Sequence, residues 1–380
     1  MKKRKLLIIS HTEHYRDHNG IIVGWGPTIT EINYLKSLFD VIYHVGTYHD
    51  TTPPPSSMPY THEDIHFIPI TPTGGDKWFS KLDVIYRAPA TIKLINKYVE
   101  KVDIWQLRCP TGIGVYLIPY LTRFIKKQGW YKYAGNWNQE NPPLGYKIQR
   151  SLLKKQSRKV TINGAWPNQP KHCYTFENPC LIEKDREEGK LISKKKKFER
   201  PFTYCFVGRL EDPKGVRRIL ETFRELEDKS SVDTVHFVGD GEHKEEYIQL
   251  SKKTGVNMIF HGFLGVEAVF NIYKKSHFFL LPSTASEGFP KVIAEAMNFG
   301  CIPIVSDVSA IPQYVINRVN GFLVTPTTAH KLKEIIEVLN TLTQDMLTKM
   351  SLHAHESAAK FTYEYYLEHL NKDIFPDANH

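Results

Sequence analysis

Residues 277–307 read "HFFLLPSTASEGFPKVIAEAMNFGCIPIVSD", two short apolar runs separated by an amphipathic one. The first apolar run stops at Pro282, and a polar loop carries Ser283 to Phe289. Pro290 suits the first turn of a helix and Gly300 suits its C-terminal cap. "CIPIVSD" then reads as a second strand. Strand, helix, strand at this spacing is the unit from which parallel sheets covered by helices are built. Glu287 and Glu295 stand on either side of the turn, one before the helix and one inside it.

The same alternation fills the second half of the chain: "FTYCFVG", "VRRILETFREL", "TVHFVGD", "EHKEEYIQLSKKTG", "NMIFHGF" and "VEAVFNIYKKS" precede this stretch. The first half repeats it less cleanly, from "KLLIISH" and "PTITEINYLKSLF" through "VDIWQLR" to "KVTING". The 380 residues exceed one ordinary core. The expected fold is therefore α/β, two Rossmann-like doubly wound domains with ligand sites at the carboxyl ends of their strands and a cleft between them as the natural active site. Their limits are expected at 1–182 and 183–360, with a helix near 361–380 returning to the first domain. The polar stretch Glu183–Arg200 reads as a surface linker.

Hydrophobic residues make up 41% and charged residues 24%, a globular composition. The opening "MKKRKLLIIS" imitates the basic region of a signal peptide, but its apolar stretch is too short, and it reads as a first strand. No run approaches a membrane span. Five cysteines without a C-x-x-C pair fit a reducing, cytoplasmic setting and argue against a disulfide framework or structural zinc. His11, His14 and His18 offer metal-ligand chemistry, but they are expected in the loop after a strand, where histidines meet ligand or solvent. Residues 1–170 hold 23 Lys/Arg and 12 Asp/Glu, a net +11; the remainder, 27 and 29, is −2. No nucleic-acid motif accompanies the basic half, so nucleic acid is not expected as a partner. An anionic membrane surface or a phosphorylated acceptor matches the asymmetry.

Three strand-end loops carry chemistry. In "GRLEDPKG" (208–215), Gly208 and Gly215 permit close backbone approach, while Arg209 and Lys214 supply a guanidinium fork and a point charge at a helix start. That combination suits a diphosphate. "GDGEHKEE" (239–246), led by Gly239, is a glycine turn into a helix. "FHGFLG" (260–265), with Phe263 at its tip, exposes backbone groups able to read a base by its edge. Glu287 lies beside free helix-terminal N–H groups, where an anion is expected. A carboxylate accepts from both hydroxyls of a vicinal diol, so Glu295 suits a ribose and Glu287 a sugar. A structural reading, turn chemistry and solvated charges, stands beside each of these.

Taken in order, "FVGRLEDPKGVRRILETF", "FVGDGE", "FHGFL", "LLPSTASEGFPKVIAEAMNFGCIPIVSD" and "NGFLV" resemble glycosyltransferase family 4, retaining enzymes of the GT-B fold, over about residues 200–325. The resemblance implies a hexosyl-type glycosyltransferase. It would move a sugar from a UDP- or GDP-linked donor to a glycan or lipid-linked saccharide acceptor in bacterial cell-surface polysaccharide synthesis. Arg209 and Lys214 would hold the diphosphate, Glu287 the transferred sugar and Glu295 the ribose. Gly208, Gly239, Phe263, Gly288 and Phe289 would contribute to the donor site. The leaving phosphate would take the acceptor proton, with no metal or other cofactor, which fits the absence of a D-x-D motif.

Two departures follow. Pro290 stands where the family often has glycine and cannot donate an N–H. "DIWQLRCPTG" (103–112) puts Gln106 and Arg108 where the first domain commonly presents histidine, so Arg108 is expected to face the donor sugar or an acidic acceptor. In "NGIIVGWGPTITEINYL" (19–35), Gly24 and Gly26 are the glycines expected near the phosphates, and His11 and His18 are placed on the acceptor side. For the acceptor side, "LTRFIKKQGWYKY" (121–133) together with "YKIQRSLLKKQSRK" (146–159), cations interleaved with Trp130, Tyr131 and Tyr133, suits a peripheral, lipid-facing membrane interface on the cytoplasmic side. A nucleotide-sugar epimerase of similar fold, or a donor-binding homologue without turnover, remains open at this level.

Overall fold

The computed structural model describes residues 4–73 and 83–375. Two compact units are formed: Met1–Glu177 together with Leu367–His380, and Asn178–Tyr366.

In the first unit the order is β1 (Lys5–Arg16), β2 (Ile22–Trp25), α1 (Gly26–Leu35), β3 (Val41–Tyr48), β4 (Ser57–Pro59), β5 (Ile65–Ile70), α2 (Ala88–Val99), β6 (Ile104–Cys109), α3 (Gly114–Phe124), β7 (Gln128–Tyr133), α4 (Leu144–Lys154), β8 (Val160–Ile162) and β9 (Cys173–Thr175). The parallel strands lie in the order β5-β3-β1-β6-β7-β8-β9, and β2 and β4 add antiparallel to the end of β1. Leu7, Ile9, Trp105, Leu107, Tyr131 and Tyr133 alternate along β1, β6 and β7 into one core face.

The second unit opens with α5 (Glu183–Lys195), then β10 (Phe202–Val207), α6 (Val216–Glu225), β11 (Val232–Val238), α7 (Lys244–Ser251), β12 (Met258–Phe260), α8 (Val266–Lys275), β13 (Phe278–Leu281), α9 (Lys291–Asn298), β14 (Ile302–Ser306), β15 (Phe322–Val324), α10 (Ala329–Leu339), α11 (Gln344–Ser357) and α12 (Tyr363–His369). Its sheet is parallel throughout, in the order β12-β11-β10-β13-β14-β15. All six residues of β10 are buried, as a strand covered on both faces requires. On α6, Val216, Ile219, Leu220 and Phe223 form the buried stripe and the arginines between them stay outside. Strand order reverses between β10 and β13, so the loops leaving those two strands flank the switch point where doubly wound sheets bind ligands.

Three expectations are corrected. Glu183–Arg200 is no linker: α5 belongs to the second unit, with Gly189 and Ser193 buried. A Cβ on Gly189 would lie 2.3 Å from Asn298 O, and the Arg186 guanidinium donates to Asn298 Oδ1 and His355 O, each at 2.7 Å. Small residues one turn apart let this highly charged helix lie close against α9. Trp130, Tyr131 and Tyr133 face no membrane: their exposures are 0%, 0% and 1%, because β7 is an interior strand. His11 and His14 are not in a loop, since β1 continues to Arg16. Of the expected C-terminal helix, residues 376–380 lie outside the described residues. The Phe375 ring packs edge-on against Phe39 and Trp130 of the first unit, at 5.7 and 5.1 Å.

Candidate active site

Lys214 and Glu287, 73 residues apart in sequence, meet at the switch point as an ion pair. Lys214 is mostly covered, with 12% of its side chain exposed, while Glu287 is 40% exposed. Their loops are tied together by one carbonyl: Pro213 O accepts from Thr284 N at 2.8 Å and from Ser283 Oγ at 3.1 Å. Gly215 completes the junction at φ +95°, and a Cβ there would lie 2.3 Å from Pro282 O. Both observations restrict that position to glycine. Beyond the pair, the Gly288 and Phe289 amides have no hydrogen-bonding partner among the described residues. The Phe289 ring is turned away into a stack on Phe361, with centroids 4.6 Å apart, so only its backbone faces the loop.

Glu295 sits in the second turn of α9, partly buried between Ala294 and Ala296. Burial raises its carboxyl to a pKa of about 7, opposed by the Lys291 charge and by the Tyr273 hydroxyl, which donates to Oε2 at 3.3 Å. Tyr273, on α8, carried no signal in the sequence, because it reaches Glu295 only through tertiary packing. Arg218 is a second unexpected contributor, donating to Asp212 O and Thr284 Oγ1, both at 2.9 Å, and so bracing the same pair of loops.

The remaining donor candidates divide. Arg209 leaves the same loop as Lys214 but is 76% exposed and paired with Glu211 at 3.1 Å. Gly208 and Gly239 are explained by the crossing of their loops: a Cβ on Gly239 would lie 1.9 Å from Gly208 O. Their amides are committed, Gly208 N to Val238 O at 3.0 Å and Gly239 N to Gly262 O at 2.8 Å. Phe263 stands at the next strand end with its ring 49% exposed.

In the first unit, Arg108 makes a fork to both oxygens of Glu31 at 3.1 Å, and Lys132 Nζ reaches Glu31 Oε1 at 2.6 Å. The guanidinium expected to face a ligand is thus engaged by a carboxylate that is 2% exposed. Gly26 N–H donates to Ser56 O at 3.0 Å and so is not available to a phosphate. Gly24 lies within the β1–β2 hairpin, where a Cβ would approach His14 Cδ2 to 2.8 Å. His14 is fully buried, and His11 and His18 are exposed. Among the described residues no cluster of three or more His, Cys, Asp and Glu side chains could hold a metal ion. None of the described helices is long and apolar enough to cross a membrane.

A six-stranded parallel sheet with a cation and a carboxylate at its switch point, preceded by a second parallel-sheet unit, defines a two-unit α/β protein of the GT-B fold. Residues 187–356 match the family described as glycosyl transferases group 1. The lipopolysaccharide 1,6-galactosyltransferase of Salmonella typhimurium is 31% identical over 132 residues, covering 34% of this chain and 36% of that protein. This chain spans about a third of the length of such curated relatives, at 36%, 33% and 30%. A glycosyltransferase structure from Rickettsia africae superposes with a TM-score of 0.66 at 17% identity, covering 100% of both chains. Anabaena HepE in complex with UDP gives 0.68 at 16% identity, covering 97% of this chain and 98% of that one.

Proposed function

We propose that the protein is a retaining, hexosyl-type glycosyltransferase of cell-surface polysaccharide synthesis. It uses a UDP- or GDP-linked sugar and transfers to a glycan or lipid-linked saccharide. The observation that carries this reading is the Lys214–Glu287 pair held at the switch point, with Glu295 eight residues further along. The names of the similar proteins, a lipopolysaccharide galactosyltransferase and a UDP complex, agree with it.

In this reading Lys214 takes the diphosphate, Glu287 turns to the sugar hydroxyls, and Glu295 accepts from the ribose diol. The acceptor hydroxyl attacks the anomeric carbon from the face the leaving group vacates. The bond from carbon to diphosphate breaks, and the acceptor proton passes to the departing phosphate oxygen. Negative charge growing on that oxygen meets the Lys214 ammonium, whose loop the Pro213 carbonyl ties to Ser283 and Thr284, and the Gly288 and Phe289 amides. Fixed dipoles of this kind stabilise a transition state without reorganising.

The test is product analysis with a panel of UDP- and GDP-sugars. Slow release of free nucleoside diphosphate, with the sugar passed to acceptor or water, is expected. Conversion of the sugar while still attached to nucleotide identifies an epimerase instead and overturns the reading.

A further inference from the structure

The first unit contains a cavity of about 400 Å³ between the segment after β7 and one face of α4. Trp137 and Gln139 form one wall, and Lys147, Arg150, Lys154 and Lys155 form the other. These cations recur at helical spacing, so they share a face. That face is pinned from behind: Gln149, 1% exposed, accepts from Thr111 N at 3.1 Å and donates to Thr111 O at 2.9 Å. Arg150 donates to Trp137 O at 2.7 Å and Gln139 O at 2.8 Å, and Lys154 Nζ lies 5.5 Å from the centre of the Trp137 ring.

None of the four cations has a carboxylate partner among the described residues. The surroundings offer little neutralisation, because residues 104–176 hold 12 Lys/Arg and one carboxylate, Glu140. Four like charges around one concavity raise the local potential, and an anion with several oxygens relieves it. The first two turns of α4 also leave Leu144, Tyr146 and Ile148 exposed, at 72%, 38% and 37%. Cations and apolar side chains thus lie on one short helix.

We propose that this cavity is an acceptor subsite that takes the phosphate or diphosphate joining an apolar chain to the acceptor saccharide, with Leu144, Tyr146 and Ile148 contacting the start of the chain. The proposal rests on the glycosyltransferase reading and narrows its acceptor to a lipid-linked phosphate.

The test compares binding of citronellyl diphosphate and inorganic pyrophosphate by calorimetry in Lys214→Ala and in Lys214→Ala/Lys147→Gln/Lys155→Gln. The shared Lys214→Ala change disables the donor loop, so a difference reports on the cavity. Citronellyl diphosphate is expected to bind at least tenfold more tightly than pyrophosphate, and both are expected to weaken at least tenfold in the triple variant. Equal affinities in the two proteins, or no binding by either, overturn the proposal. Sedimentation with phosphatidylglycerol and phosphatidylcholine vesicles separates the sources: if the triple variant loses only vesicle binding and keeps citronellyl diphosphate, the surface is a membrane contact and the proposal fails. UDP binding by Lys147→Gln/Lys155→Gln with intact Lys214 is expected unchanged. Failure of UDP to bind the wild type would instead remove the donor reading.

Discussion

Burial raises the Glu295 carboxyl above the usual carboxylate range. With its pKa raised to about 7 by burial, it is half protonated near neutrality, and only the ionised form accepts from two ribose hydroxyls. Nucleotide affinity is therefore expected to fall as pH drops, by about tenfold between pH 8 and pH 6, and to lose that dependence in Glu295→Gln. Titration calorimetry across this range decides it; a flat profile in the wild type contradicts the ribose role. The two glutamates are also expected to separate. Glu295→Ala weakens nucleotide binding by about 1.5–3 kcal/mol, the usual worth of hydrogen bonds to a charged group, while Glu287→Ala mainly lowers turnover. Equal, wild-type behaviour of both variants in binding and kinetics removes the assignment.

Gly215 tests the junction at the same scale. At φ +95°, with Pro282 O 2.3 Å from any added Cβ, Gly215→Ala is expected to destabilise by more than about 1 kcal/mol and to lower Lys214-dependent nucleotide binding. Unchanged urea midpoint and affinity would show that the loops adjust freely. Both glutamates, Lys214 and the turn between them were legible in the sequence, because strand ends and helix starts fix where such side chains stand. Tyr273 and Arg218 were not, since their partners lie on other elements. Arg108 shows the converse limit: its place at the end of β6 was readable, but its engagement by Glu31 of α1 was not.

At the scale of elements, β1 carries more than its length suggested. His14 Nδ1 faces Thr12 O at 2.8 Å and must donate to it, which leaves Nε2 to accept from Tyr60 OH at 2.7 Å. Tyr60 OH then accepts from His44 Nδ1 at 2.6 Å, and His44 Nε2 lies 2.8 Å from Ser10 Oγ. This buried chain joins β1 to β3 through Tyr60 and is satisfied with both imidazoles neutral, the form that burial favours. Burial lowers His14 to a pKa of about 4 from 6.5, so the native form binds its proton less readily than the unfolded chain does. The stability this gives is complete above pH 6.5 and is lost as pH falls toward 4, amounting to about 3 kcal/mol at 1.36 kcal/mol per unit. Urea midpoints measured from pH 7 to pH 4 should fall by that order, and His14→Phe should flatten the fall; an unchanged slope would place the acid sensitivity elsewhere.

Elements also show why some readings failed. Apolar alternation located β10 to β14 because covered parallel strands are nearly continuous apolar runs. Glu183–Lys195 failed because its packing surface is Gly189 and Ser193, small residues that pattern reading treats as neutral between charges. "GWYKY" failed for a different reason: aromatic residues among lysines look the same at a bilayer surface and in an interior strand whose Lys132 is paired with Glu31.

For the molecule as a whole, the charge division was legible and its use was not. The excess of cations in the first half is only partly available: Lys127, Lys132, Arg158 and Arg108 are engaged with backbone carbonyls or Glu31. Four others, Lys147, Arg150, Lys154 and Lys155, gather around one cavity beside α4, away from the donor loops in sequence. The fold was readable because both halves repeat the strand-helix alternation, whereas which cations stay without a carboxylate is decided by tertiary packing.

In the proposed reading, the loops after β10 and β13 form a nucleotide diphosphate site through Lys214. Thermal unfolding with UDP, GDP, ADP and CMP, on the wild type and on Lys214→Ala, tests it most directly. A bound nucleotide at about a hundred times its dissociation constant adds roughly 2.7 kcal/mol, a readily measured rise in midpoint. UDP or GDP alone is expected to raise the midpoint, and Lys214→Ala is expected to lose the rise. No rise with any nucleotide, or an undiminished rise in the variant, would contradict it.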